Sequence, residues 1–86
     1  MTSFSYTITD ELGIHARPAG LLVKKAQGYQ SALKAACGDK TADLKKIFGV
    51  MGLGAKQKDT LTVTCEGPDE QQAALELEAY MKENNY

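Results

Sequence analysis

Between Thr60 and Glu66 the chain alternates without a break: Leu61, Val63 and Cys65 are apolar, and Thr60, Thr62, Thr64 and Glu66 are polar. A period of two places these sets on opposite faces of an extended strand. One face is therefore buried and the other wet, so the chain must build a sheet covered on one side. Residues Phe4–Thr9 alternate aromatic and β-branched types with smaller polar ones and read as another strand. Ser31–Cys37 carries Leu33, Ala35 and Cys37 on one face, although its alanines are weak strand formers. Gly38-Asp39 signals a hairpin, with Lys40–Asp43 as the short returning strand.

The cover comes from segments with helical spacing. Pro18 suits a first helical turn, Ala19, Leu22, Val23 and Ala26 form the apolar stripe, and Gly28 closes the helix. Leu44–Met51 reads as a short helix, weakened by Gly49; Gly52, Gly54 and Lys56–Asp59 follow as a loop. Pro68-Asp69 opens a last helix, with Asp69 as cap, Gln72 as its reciprocal partner, and Ala73, Leu77 and Tyr80 or Met81 as the stripe. The order β-α-β-β-α-β-α predicts an α+β fold of two layers.

The 86 residues predict one small domain, residues 1–86, able to bury a modest core without metal or disulfide. With 43% hydrophobic and 24% charged residues the composition argues against disorder, and a net charge of −1 argues against a nucleic-acid binder. No signal peptide is expected at Met1–Thr9, and no apolar run approaches the roughly 18 residues of a membrane span. The expectation is a cytoplasmic monomer with no membrane insertion. Cys37 and Cys65 lack Cys-x-x-Cys spacing, and the chain has one histidine. No metal site is expected, and the cysteines read as two small, unbridged strand residues.

The segment Gly13-Ile14-His15-Ala16-Arg17-Pro18-Ala19 carries the chemistry. It sets a lone histidine at the mouth of a helix. Imidazole titrates near about 6.5, so its neutral, nucleophilic form is abundant near neutral pH. A helix start offers unpaired N–H groups and partial positive charge, worth about 0.3–1 kcal/mol to a phosphate. Arg17 adds a permanent charge with a planar donor fork. Modest stabilisation of this kind suits a carrier that must release its phosphate. No Gly-rich phosphate loop or carboxylate cluster for Mg²⁺ is present, which argues against a kinase. Taken alone, His-x-Arg-Pro also fits a surface histidine beside a helix cap with a solvated arginine.

Along its whole length the chain resembles the HPr family of the sugar phosphotransferase system. The resemblance rests on Gly13–Ala19, on Gly38-Asp39-Lys40-Thr41, on the block from Leu44 to Gly54, and on the Asp69-Glu70 helix start. It implies an open-faced sandwich with an antiparallel sheet of order 1-4-2-3 and three helices on one side. It implies phosphorylation of His15 at Nδ1 by enzyme I at the expense of phosphoenolpyruvate, then transfer to IIA domains of sugar permeases. Arg17 would position the phosphoryl group, helped by the N–H groups of Ala16 and Arg17, and no cofactor is called for. The chain would be a covalent intermediate in a relay rather than a stand-alone enzyme.

A partner surface follows from spacing. Arg17, Gly20, Leu21 and Lys24 face away from the first helix's core stripe. Ile47, Phe48 and Met51 are more apolar residues than one short turn can bury; core packing is the alternative. The resemblance favours a docking patch beside His15. Lys46 stands where many Gram-positive relatives carry a regulatory serine, which puts that regulation in doubt here. Lys45 and Lys46 could instead join Arg17 and Lys24 in a basic rim. A regulatory paralogue, such as one of the nitrogen-related branch, would share His15 and differ in partners. A non-catalytic binding module is disfavoured by His15 and Arg17 together.

Overall fold

The computed structural model describes residues 1–86. Its elements are β1 (Thr2–Thr7), α1 (Ala16–Ala26), β2 (Ala32–Cys37), β3 (Lys40–Asp43), α2 (Ile47–Gly52), β4 (Thr60–Glu66) and α3 (Glu70–Glu83). The sheet has the order β1-β4-β2-β3, and every pairing is antiparallel. This is the α+β open-faced sandwich that the resemblance implied. No helix is long and apolar enough to cross a membrane.

The alternation read in the sequence is the inside–outside pattern of the sheet. Phe4 lies opposite Val63 and Tyr6 opposite Leu61, while Leu33 lies opposite Cys65 and Ala35 opposite Val63. These residues share one face because directly paired residues in an antiparallel ladder point the same way. The helices cover that face with Ala19, Leu22, Val23 and Ala26 from α1 and Ala73, Ala74, Leu77 and Met81 from α3. The opposite face is lined by Ser3, Ser5, Thr62, Thr64 and Lys34. Cys37 and Cys65 are free thiols. Cys37 pairs with Leu61 and Cys65 with Leu33, so they sit at opposite ends of the β2–β4 ladder. At about 3.4 Å per residue, four positions separate them by about 14 Å, twice the reach of a disulfide.

Three local expectations are corrected. The short helix starts at Ile47, not Leu44. The Leu44 N–H donates to the Leu33 carbonyl at 2.9 Å, and Asp43 accepts the N–H groups of Lys45 (2.9 Å, side chain) and Lys46 (3.1 Å, carbonyl). Leu44 is thereby drawn into the core before the helix can begin. Asp69 occupies the N-cap position of α3 but makes no capping bond. Its carboxylate instead accepts the N–H groups of Gln30 and Ser31, each at 2.9 Å, and the Ser31 hydroxyl. No capping box forms: Glu70 accepts the Gly67 N–H, and Gln72 donates to Glu76. The third correction is Lys45. Its ammonium donates to the Tyr29 carbonyl at 2.6 Å, so it fastens a loop and does not extend an exposed basic rim.

Candidate phosphoryl-acceptor site

His15 is placed by the loop before it. Gly13 adopts φ +69°, and a Cβ there would lie 2.3 Å from the Ala55 carbonyl oxygen and 2.8 Å from Lys56 Cα. Only glycine fits both the left-handed backbone and the close approach. The approach lets the Ile14 N–H donate to the Ala55 carbonyl at 3.0 Å, and Ile14 is buried. Upstream, Asp10 accepts the Leu12 N–H on its carboxylate and the Gly13 N–H on its carbonyl. With Ile14 anchored, His15 emerges as the N-cap residue of α1, exposed and in extended backbone (φ −99°, ψ −173°).

The His15 imidazole makes no capping bond to the helix amides. Its ring nitrogens are free for chemistry. The Ala16 and Arg17 N–H groups have no carbonyl one turn behind them. Pro18 has no N–H, and the Ala19 N–H is the first to close the helix, onto the His15 carbonyl at 2.9 Å. Two donors are thus left beside the imidazole. The first turn of α1 holds no acidic residue, and the one carboxylate that lines the site, that of Asp10, accepts the Leu12 N–H. Arg17 is exposed and outside both ion pairs of the molecule, Met1–Glu70 and Lys82–Glu78. A shallow depression of 310 Å³ lies here, between His15, Arg17, Pro18 and Leu21 on one side and Asp10, Asn84 and Tyr86 on the other. The arrangement offers a nucleophile, a fixed cation and two aligned donors at one exposed point, a combination able to bind and pass on a phosphoryl group.

The surface residues named from spacing divide in two. Leu21 (49% exposed), Phe48 (86%) and Met51 (41%) present apolar area to solvent, and Lys24 and Lys46 are exposed near them in sequence. Gly20 and Ile47 are half-buried; a Cβ at Gly20 would sit 3.5 Å from Ile47 Cδ1, so this pair forms the contact of α1 with α2. Val50 is the residue of α2 that fills the core. Core packing therefore accounts for Val50 and part of Ile47, and not for Phe48. Lys46 is the N-cap residue of α2 and makes no side-chain cap. Asp10, Asn84 and Tyr86 were not singled out from the sequence. Asp10 lies in the turn before His15, and Asn84 and Tyr86, beyond the end of α3, reach the site only through tertiary packing.

Comparison with known proteins agrees with this geometry. The family profile described as the PTS HPr component phosphorylation site matches residues 2–83. A phosphocarrier protein HPr of Lysinibacillus sphaericus is 46% identical over 83 residues, covering 96% of this chain and 94% of the relative. The phosphocarrier protein HPr of Mycoplasma genitalium is 35% identical over 85 residues, covering 98% and 97%. A solved histidine-containing phosphocarrier protein of Mycoplasma superposes with a TM-score of 0.94 at 33% identity, covering 98% of this chain and 96% of that one.

Proposed function

The chain belongs to the HPr family of phosphocarrier proteins of the phosphotransferase system, and on that premise we propose that His15 takes a phosphoryl group from phospho-enzyme I and gives it to IIA domains of sugar permeases. The observation that carries this reading is the exposed His15 at the mouth of α1, with its imidazole uncommitted and the Ala16 and Arg17 N–H groups free beside it. In the forward step neutral Nδ1 attacks phosphorus, the N–P bond forms, and the bond to the enzyme I residue breaks. The three phosphoryl oxygens then meet the two N–H groups and the Arg17 guanidinium. The reverse sense of the same step delivers the group onward. One arginine and one helix end stabilise the adduct modestly, which keeps onward transfer from becoming uphill.

Leu21, Phe48 and Met51, with Ile47 and Gly20 beneath and Lys24 and Lys46 at the edge, form the docking surface in this reading. The protein works as a cytoplasmic monomer, a covalent intermediate of the relay and not a catalyst of its own. Lys46 accepts no phosphate from a serine kinase, so this position gives no serine-based control.

Incubation with phosphoenolpyruvate and enzyme I, read by intact mass, tests the assignment. The expected product carries one phosphate, about 80 Da, that is lost in acid and kept in alkali. His15→Ala should gain none. Acid-labile phosphate on that variant would sink the assignment.

A further inference from the structure

After α3 the chain turns back on itself. Asn85 adopts a positive φ of 57°, which asparagine tolerates better than most residues. The turn sends Tyr86 beneath the start of α1, where it is 4% exposed. Its backbone oxygen accepts the N–H groups of Thr9 at 2.8 Å and Asp10 at 3.0 Å. Its own N–H donates to the Met81 carbonyl at 3.0 Å. Its phenol hydroxyl donates to the Pro18 carbonyl at 2.7 Å. The segment from Thr9 to Pro18, which carries His15, is therefore held at both ends by one residue. That residue is itself seated on α3, with its ring 5.8 Å from the Tyr80 ring.

The hydroxyl is the informative atom. A phenylalanine would fill the same space, so core packing alone does not call for the oxygen. Its hydrogen bond lands on the third residue of α1, one position after the two free amides. Burial, and secondarily the Tyr80 phenol, push its pKa well above the usual tyrosine value, which favours the neutral, hydrogen-donating phenol.

We propose that Tyr86 is a positioning residue for phosphoryl transfer: by clasping Thr9, Asp10 and Pro18 it sets the aim of the Ala16 and Arg17 N–H groups relative to the His15 ring. This inference rests on His15 as the acceptor. Tyr86→Phe keeps the ring and removes the clasp at Pro18. The saturating rate of phosphorylation by phospho-enzyme I should fall about two- to fivefold, the upper end being the full worth of one ordinary hydrogen bond. KM for enzyme I should stay unchanged, because Tyr86 lies beneath the surface that docks. The amide signals of Ala16 and Arg17 should move in ¹H–¹⁵N spectra. Tyr29→Phe, which removes a tyrosine hydroxyl bonded to Glu76 beyond the other end of α1, should leave rate and signals as they are. A lowered melting temperature with an unchanged saturating rate would overturn the proposal, as would unmoved Ala16 and Arg17 signals. His15→Ala in the same assay separates the two ideas. Phosphorylation of that variant would remove the acceptor assignment, whereas the Tyr86→Phe rate and spectra bear on the clasp alone.

Discussion

Gly13→Ala tests how His15 is held, and its cost can be worked from the contacts. An alanine at φ +69° sits in left-handed backbone, which costs roughly 1–2 kcal/mol. The added Cβ would stand 2.3 Å from the Ala55 oxygen. Restoring an ordinary contact of about 3.5 Å needs roughly 1 Å of separation. That movement lengthens the Ile14 N–H bond to the same oxygen, now 3.0 Å, and forfeits about 1 kcal/mol. Clash and lost bond overlap, because relieving one produces the other. The expected total is about 2–4 kcal/mol, against a stability of about 4–13 kcal/mol for a chain of this size. Melting should therefore fall by at least about 8 °C. The same shift of about 1 Å is passed to His15, and misplacement on that scale can slow a positioned reaction by up to about 100-fold. A urea or thermal melt gives the first quantity. Single-turnover phosphorylation, measured well below the melting temperature so that the variant is folded, gives the second. A variant melting within about 3 °C of the parent and phosphorylated at the parent rate would show that the 13–15 and 55–56 loops yield freely. The account of how His15 is placed would then be wrong.

Arg17→Ala should slow phosphorylation at least about tenfold while leaving the urea midpoint nearly unchanged, because an exposed, unpaired arginine contributes little to the fold. An unaltered rate would return Arg17 to the solvated surface. Phe48→Ala should raise KM for enzyme I by about tenfold or more and leave stability alone, given a ring that is 86% exposed. Loss of stability with unchanged KM would make it a packing residue. Lys46→Glu should lower the association rate with enzyme I at low ionic strength, with the difference fading as salt screens the charge; stopped-flow rates equal to the parent at low salt would remove the steering role. Acid should weaken the fold. The Met1 amino group and the Thr2 hydroxyl hold the Glu70 carboxyl down to about 2, and bonds from Ser31 and Gln30 hold Asp69 below its usual value. The unfolded chain then binds more protons than the folded one as pH drops from about 4.5 towards 2, so stability present above that window is lost through it. Asp69→Asn should flatten the pH dependence measured by urea melts between those values, and an unchanged slope would count against the Asp69 bonds.

The parts of this protein that could be read from its residues are those governed by short-range periodicity. Alternation at Thr60–Glu66 gave that strand to the residue, and the stripe Ala19, Leu22, Val23 and Ala26 matches the buried face of α1. Such patterns are legible because a period of two or of 3.6 reports directly which side of an element meets the core. The exposed histidine at a helix start belongs to the same class, since the cap, the proline and the free amides are neighbours in the chain. The sheet order came from family resemblance, because no local pattern states which strands pair. Tertiary contact alone decided the rest. Asp69 stands where a cap would be expected, yet it serves Gln30 and Ser31. Lys45 appeared to be free charge until the Tyr29 carbonyl took it. Leu44 left the helix that its spacing suggested because the Leu33 carbonyl bound its N–H. Tyr86 carried no signal for contact with the loop of His15. In each case a polar group chooses among partners brought near by the packing of distant elements. A hydrogen bond depends on distances of a few tenths of an ångström, which a linear pattern of apolar and polar residues does not encode.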